Sequence, residues 1–490
     1  MNHLKRESLI VFIVSIFYLF TLWIYVYRSS GIMFSLPSMA DEFIDPFDRL
    51  AETGTYAWKD GKPYAGRPPG LFVPYGFFRL FFGKEITIIV SGFFQLFLKA
   101  LSVVYLFHLL SEIRIKRYIK YIFIIVYLVF PYWWAMDFKI HPYSISASVT
   151  IIMLYYFQKI LITQNSIKNF LIVGLLTSYL FFLRPYLGIL IIIEGCVLFF
   201  YLFLNKHSFK QTVTKVFFLF LPFIIIESTW IVRNFVHFKK IIPFQTTTSF
   251  SESSLEISEY DFTNPNKPSL LPLRKLFVIW GEPLKWYDST SMPGRFISSD
   301  TTINYLPSYA YTKNVTKDSI KFLKKLIQIS FSQDTTIDHK LLEKQIFDMS
   351  RRYLNYYKKD IPFHYWVKSI LIKSKFLLLP HLQDESLKFP PQSKRSILII
   401  ISYYVILIIG LGAIVFYIIK FTILLRQRPF ILFLLACCVA NLFVFLLLLD
   451  TIYFLYFLSG YLMLFVLSAI FVNEWISKLL PNEKNHHHSI

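Results

Sequence analysis

Cysteine is scarce in this chain of 490 residues, and all three, Cys196, Cys437 and Cys438, fall inside apolar runs. That placement excludes a disulfide framework and a thiolate metal site. Charge is scarce as well, at 17% of residues, and acids are the scarcer sign, with 30 Asp and Glu against 51 Lys and Arg. The resulting +21 would suit nucleic acid if it formed a basic stripe interleaved with aromatics. No such stripe is present, so nucleic acid is not an expected partner, and the cations gather instead between apolar runs. There they read as topology signals and as a surface for anionic membrane lipids. The first apolar run, 9–27, follows Lys5 and Arg6 and lacks a small-residue cleavage site, so a retained membrane helix is expected rather than a signal peptide. An inverted internal repeat of the transporter kind is not evident either.

Apolar side chains are abundant. They make up 55% of the chain, and aromatics 19%, above the roughly 45–50% apolar share of a soluble domain. Lipid is the expected solvent. A spanning helix needs about 20 apolar residues, and that length divides the chain into spans at 9–27, 86–110, 119–134, 143–162, 170–183, 186–204, 216–232, 397–419, 430–449 and 452–472. The third and fifth are short. The expected fold is therefore an all-α polytopic membrane protein of about ten transmembrane helices. Cations of the short loops fall on alternate sides in register: Lys5 and Arg6, then Arg114 to Lys120, Lys206 to Lys215, Arg426 with Arg428, and Lys478 with Lys484. By the positive-inside rule both termini are cytoplasmic and two long segments, 28–85 and 233–395, lie outside. Composition is compatible with a bacterial inner (plasma) membrane, the long segments then facing the periplasm or exterior.

The first external segment holds two amphipathic stretches, 41–52 and 71–82, separated by a Gly- and Pro-punctuated run, and these are expected as interfacial helices on the membrane surface. The second is mixed, with turn signals and apolar-basic patches, and precedes the last three spans. The organisation is thus a transmembrane module over 1–245, an external segment over 246–396, and C-terminal helices with a tail over 397–490.

Candidate chemistry concentrates in the first loop, where Asp41, Glu42, Asp45 and Asp48 precede Tyr64-Ala65-Gly66-Arg67-Pro68-Pro69-Gly70. A carboxylate serves as general base when it is poised beside a reacting hydroxyl, and a guanidinium is the best clamp for a phosphate. The same residues also fit a solvated amphipathic helix followed by a proline turn. A second loop carries Asp137, Lys139 and His141 beside Trp133 and Trp134. The tryptophans suit an interface belt, whereas the polar trio stands at the mouth of a helix bundle. Arg184 and Arg233 stand at outer ends of spans, where one arginine snorkels but several converging would hold a phosphate. Within the spans lie Lys99, Glu194 and Glu227, with Lys99 expected to pair with one of the glutamates. Such residues would also serve ion coupling in a transporter. No spacing demands a metal ion, although a divalent metal could be held by Asp41, Glu42 and Asp45.

The order of acidic loop, R-P-P-G turn, L-R-P at 183–185 and the run WIVRNFVHFKKIIPFQ at 230–245 resembles the GT-C glycosyltransferases. The likeness covers about 1–245 and is narrowest to the protein O-mannosyltransferases, the lipid A aminoarabinose transferase and dolichyl-phosphate-mannose mannosyltransferase-like proteins. It implies a polyprenyl-phosphate-linked sugar as donor and a glycan, lipid or protein as acceptor, in cell-envelope glycan assembly. By the same resemblance Asp41 is the base with Glu42 beside it, while Arg67, Tyr64, Arg184 and Arg233 meet the donor phosphate. His141-Pro142 stands where many relatives show an acid before proline, leaving Asp137 as the substitute. The last span departs too, with Asp450-Thr451-Ile452-Tyr453 where relatives often show Arg-Tyr and a proline. The rival function is a transporter or flippase of lipid-linked sugars.

Overall fold

The computed structural model describes residues 3–31, 33–36, 43–58, 61, 63–130, 136–164, 166–243, 271–280, 306–330, 339–378, 394–444, 446 and 454–479. Among these the protein is all-α. Its helices are α1 His3–Ser30, α2 Asp45–Thr53, α3 Tyr75–Arg79, α4 Lys84–Glu112, α5 Arg117–Val129, α6 Pro142–Thr163, α7 Ile167–Leu183, α8 Ile189–Leu204 and α9 Phe209–Phe238. They continue with α10 Leu271–Ile279, α11 Lys317–Ser330, α12 His339–Asp360, α13 Ser369–Leu378, α14 Lys394–Ile419, α15 Phe421–Gln427, α16 Pro429–Phe443 and α17 Phe454–Leu479.

Among the described residues six helices are long and apolar enough to cross a membrane, and they make this a membrane protein by length and composition: Lys5–Ser30, Lys84–Glu112, Pro142–Thr163, Pro185–Leu204, Phe209–Phe238 and Gly460–Leu479. The other four expected spans also coincide with helices. Three of these are shorter apolar stretches, Ile167–Leu183, Tyr403–Ile419 and Pro429–Phe443, and the fourth is the 13-residue α5.

The centre of the bundle is α6, which packs against α4 and α7, while α9 closes on α7 and α17 returns against α6. Small residues explain its central place. Ser144, Ser146, Ala147, Ser148 and Thr150 are all buried along α6, and small side chains let helix backbones approach where lipid supplies no hydrophobic drive between helices. Gly174 does the same for α7, since a β-carbon there would lie 2.1 Å from the Leu219 carbonyl oxygen of α9. A capping box starts α9, with Ser208 Oγ accepting from Gln211 N at 3.3 Å and Gln211 Oε1 accepting from Ser208 N.

The expected interfacial helices take a different form. The first begins at Asp45, with 41–42 outside the described residues, and the second breaks into a short turn, Gly70–Phe72, and α3, because Pro74 between them offers no amide hydrogen to a continuing helix. Buried Asp48 ties both to the bundle. Its Oδ1 accepts from Tyr75 Oη and Arg79 Nε, each at 2.8 Å, and its Oδ2 lies 2.7 Å from Lys84 Nζ at the start of α4. Burial, then the Asp48 charge, pushes the Tyr75 phenol up; burial works to lower Arg79, but Asp48, Tyr75 and Glu52 together raise it.

In the second long segment α10, α11 and α12 share a core of their own, around Phe277, Trp280 and Tyr357, with Trp280 Nε1 donating to Tyr357 Oη at 2.9 Å.

The expected pairing of Lys99 with a glutamate is replaced by other contacts. Lys99 Nζ sits 3.7 Å from the Tyr127 ring centroid, and Glu194 accepts from Thr177 Oγ1 at 2.9 and 3.0 Å. A cation on an aromatic face and a hydroxyl on a carboxylate each offset part of the cost of burial without the two charges meeting.

Candidate functional site

Two loops and two helix ends meet beside the entrance of α6. The first loop enters through residues 33–36, where Ser35 N donates to Phe138 O at 3.1 Å and Ile140 N donates to Ser35 O at 3.0 Å. Phe34 fixes this strip against α4, filling the space left by Gly92, whose β-carbon would otherwise lie 2.3 Å from the ring. From α4 as well, Gln95 Nε2 reaches the carbonyl oxygens of Met136, Asp137 and Lys139 at 3.0 to 3.1 Å. The two loops are thereby fastened to each other and to one helix.

The R-P-P-G turn is placed by its glycine. A β-carbon on Gly70 would fall 2.3 Å from the Phe182 carbonyl oxygen, so this position admits only glycine at the observed spacing. The turn is pressed on the end of α7, one residue short of Arg184, whose amide caps that helix by donating to Leu180 O at 2.9 Å.

Phe43 is the meeting point. It is buried, and the guanidinium carbons of Arg67 and Arg184 each lie 5.1 Å from its ring centroid, from different elements. The His141 ring lies 5.6 Å away. Arg184 also stacks on Tyr143 at 3.9 Å, and its Nη2 is 3.5 Å from His141 Nε2. His141 caps α6, its Nδ1 accepting from Tyr143 N at 3.3 Å, ahead of Pro142 in the first helical turn. Burial pushes the imidazole well below its usual pKa, and the charges of Arg184, Lys139 and Arg67 push the same way. The ring is held neutral in a cationic neighbourhood.

No known protein family, curated protein or solved structure matches the chain. The site therefore rests on its own geometry.

The sequence-derived candidates divide accordingly. Arg67, Arg184, Lys139 and His141 come together. Asp41 and Glu42 lie outside the described residues; Phe43 follows them in the chain. Arg233 is turned elsewhere, donating through Nη1 to Tyr64 O at 2.6 Å and through Nη2 to Tyr56 O at 2.7 Å. It braces the loop that carries Arg67. Tyr64 is fully buried, stacked on Trp58 at 5.0 Å between ring centroids, and its ring stands 2.7 Å from where a Gly66 β-carbon would be. It too shapes the turn. Asp137 is buried and accepts a hydrogen bond from Ser144 Oγ on α6. Burial raises its pKa, against the lowering effects of Lys99 and that hydrogen bond. Its carboxylate thus belongs to the bundle interior with Lys99 and Ser144.

Sequence reasoning missed Phe43, Tyr56 and Gln95. Tyr56 Oη donates to Arg67 O at 3.2 Å, and burial, against the pull of Arg233 and then Arg67, keeps the phenol protonated for that bond. The aromatic density of the loop was the signal available, but aromatics in a membrane protein mark interfaces by default. Among the described residues no cluster of His, Cys, Asp or Glu is arranged to hold a metal ion.

Proposed function

We propose that the protein is an inverting membrane glycosyltransferase that moves a sugar from a polyprenyl-phosphate donor to a glycan, lipid or protein acceptor. The observation that carries this reading is the convergence of Arg67 and Arg184 on the Phe43 ring with neutral His141 beside them. With Nδ1 engaged as a cap acceptor, His141 Nε2 holds the ring proton. Two donors, that N–H and Arg184 Nη2, then stand 3.5 Å apart, and an anionic phosphate oxygen placed beside them accepts from both.

In the proposed reaction the acceptor hydroxyl gives its proton to Asp41, or to Glu42, as its oxygen attacks the anomeric carbon. The bond from that carbon to the phosphate oxygen breaks, and polyprenyl phosphate departs with the electron pair toward Arg67 and Arg184. Guanidinium groups fixed in advance stabilise the charge that develops on the leaving group. Tyr64 and Arg233 hold the loop rather than the phosphate, and Lys139 adds to the field. The remaining parts of the proposal are ten spans, cytoplasmic termini, and a site facing the periplasm or exterior of a bacterial inner membrane. The distribution of short-loop cations supports them.

The test is transfer of label from a polyprenyl-phosphate sugar in membranes containing either the parent chain or Asp41→Asn, matched for insertion. Loss of transfer in the variant is expected; full transfer removes Asp41 as the base. Glycan profiling of a deletion strain then names the sugar. A transporter reading has one observation of its own, the Glu227 carboxylate buried on α9 with neither oxygen hydrogen-bonded among the described residues. Movement of lipid-linked sugar across vesicles by Asp41→Asn, with no transfer by the parent chain, would favour that reading.

A further inference from the structure

At the end of the bundle remote from Arg184, two adjoining cavities of about 410 and 320 Å³ open between helix ends. They share Gln427, Arg428, Asn473 and Glu474. The first is bounded by Arg114, just past α4, by Leu161 on α6 and by Tyr201 on α8. Since α6 begins at Pro142 beside the candidate site, Leu161 lies roughly 29 Å from it along the helix at 1.5 Å per residue. This is a separate place on the molecule, and nothing in it depends on the transferase reading.

Its charge is unbalanced. Arg114 lines the first cavity, Lys420 and Lys478 line the second, and Arg428 lines both, whereas Glu474 is the one carboxylate among the lining residues. Glu474 is engaged by Arg428 Nη1. Lys420 and Lys478 flank the Phe416 ring at 4.1 and 5.5 Å, two like charges gathered on one ring. The rim is apolar, with Ile162 and Ile423 among the lining residues and both more than half exposed or nearly so, at 57% and 50%. Cavities of a few hundred Å³ are the size that holds small ligands. Cations and exposed isoleucines lining the same cavities match a molecule with a phosphate at one end and hydrocarbon at the other.

We infer that this paired cavity binds the phosphate headgroup of an anionic membrane lipid, with its acyl chains lying across Ile162 and Ile423. Arg114, Lys420 and Lys478 supply the attraction. Glu474 competes with the phosphate for Arg428, which sets the affinity below what four cations would give. Basic pockets between membrane helices are a recurrent means of holding acidic lipids at the leaflet where the short-loop cations lie.

The experiment is native mass spectrometry of the full-length protein in a neutral detergent, titrated in turn with dioleoyl-phosphatidylglycerol, dioleoyl-phosphatidylcholine and inorganic phosphate. Preferential retention of phosphatidylglycerol is expected. Each of Arg114→Gln and Lys478→Gln, both at exposed positions, should weaken it about fivefold, the equivalent of one basic residue near an anionic surface. Glu474→Gln should tighten it, a direction that loss of folding cannot produce. Equal retention of the two lipids, or unchanged retention in the Arg114 and Lys478 variants, overturns the site. Binding of inorganic phosphate as tight as that of phosphatidylglycerol overturns the lipid assignment.

Discussion

Gly70 rests on the backbone of Phe182 with no space for a side chain: a β-carbon would stand 2.3 Å from the Phe182 oxygen and 2.5 Å from the Leu183 nitrogen. Both neighbours are main-chain atoms at the end of a packed helix, so neither yields as a flexible side chain would. This contact sets the distance between the Arg67 turn and Arg184. Gly70→Ala should therefore cost about 1–3 kcal/mol through overpacking and lower sugar transfer by more than its effect on stability accounts for. Thermal unfolding of the purified protein, paired with the transfer assay, checks this. An unchanged unfolding midpoint would show that the turn stands farther from α7.

Arg67 and Arg184 act on one leaving group in the proposed mechanism, so their effects should not add. Arg67→Ala and Arg184→Ala should each weaken donor binding tenfold or so, about the 1.4 kcal/mol of one charge-assisted contact. The double variant should fall short of the product of the two. A double-mutant cycle on donor affinity measures the coupling, and strict additivity would place the two guanidinium groups on different ligands.

Arg233 should behave as a positioning residue. Replacing it with Met removes the bonds to the Tyr56 and Tyr64 carbonyls and should lower kcat while leaving donor KM within about twofold, the pattern of a lost arrangement rather than a lost contact. Faster amide hydrogen exchange across 56–66 should accompany it. A rise in KM alone would return Arg233 to the phosphate.

The depressed pKa of His141 gives a pH signature. Its folded-state value lies below the unfolded value near 6.5, because burial and then Arg184, Lys139 and Arg67 oppose the charge. The unfolded chain therefore takes up the proton first. Stability contributed by the neutral ring is complete above about pH 6.5 and falls as pH drops below it, at up to about 1.4 kcal/mol per pH unit. Unfolding midpoints between pH 7 and 5 should decline less steeply in His141→Gln than in the parent chain. Equal slopes would mean that the imidazole charges freely in the folded protein.

Asp48 joins three elements, through Tyr75, Arg79 and Lys84. Asp48→Ala should destabilise the protein by about 3 kcal/mol, since it leaves the largely buried Arg79 guanidinium beside the space the carboxylate filled. Asp48→Asn should recover part of that by keeping a hydrogen-bond acceptor for Tyr75. If both variants unfold like the parent, the cluster is a solvated surface network.

Much of the helical layout was legible because hydropathy along a spanning helix is a local property. In its described residues each expected apolar run coincides with a helix; α5 ends at Val129, and 131–134 of its run lie outside the described residues. The candidate site was legible in its residue types and in part of its grouping. That Arg67 and Arg184 share a ring depends on the Gly70 contact, between residues more than a hundred positions apart, and no pattern in sequence encodes it. Arg233 reads the same as Arg184, an arginine at the end of a span, yet carbonyls of the loop lie within its reach and claim its donors. Lys99 was assigned an acid by the rule that buried charges pair. Tyr127 is one helix away on α5 and receives it on its ring, a solution that charge counting does not see.

The strip that joins the two loops is made of main-chain bonds, with Ser35 giving one to Phe138 and taking one from Ile140. Such bonds are indifferent to the side chains on either strand. The residues that face a substrate could therefore be exchanged, one loop at a time, while the alignment between the loops is kept, so that a descendant of this chain could change the molecule it recognises without first rebuilding the frame that holds it.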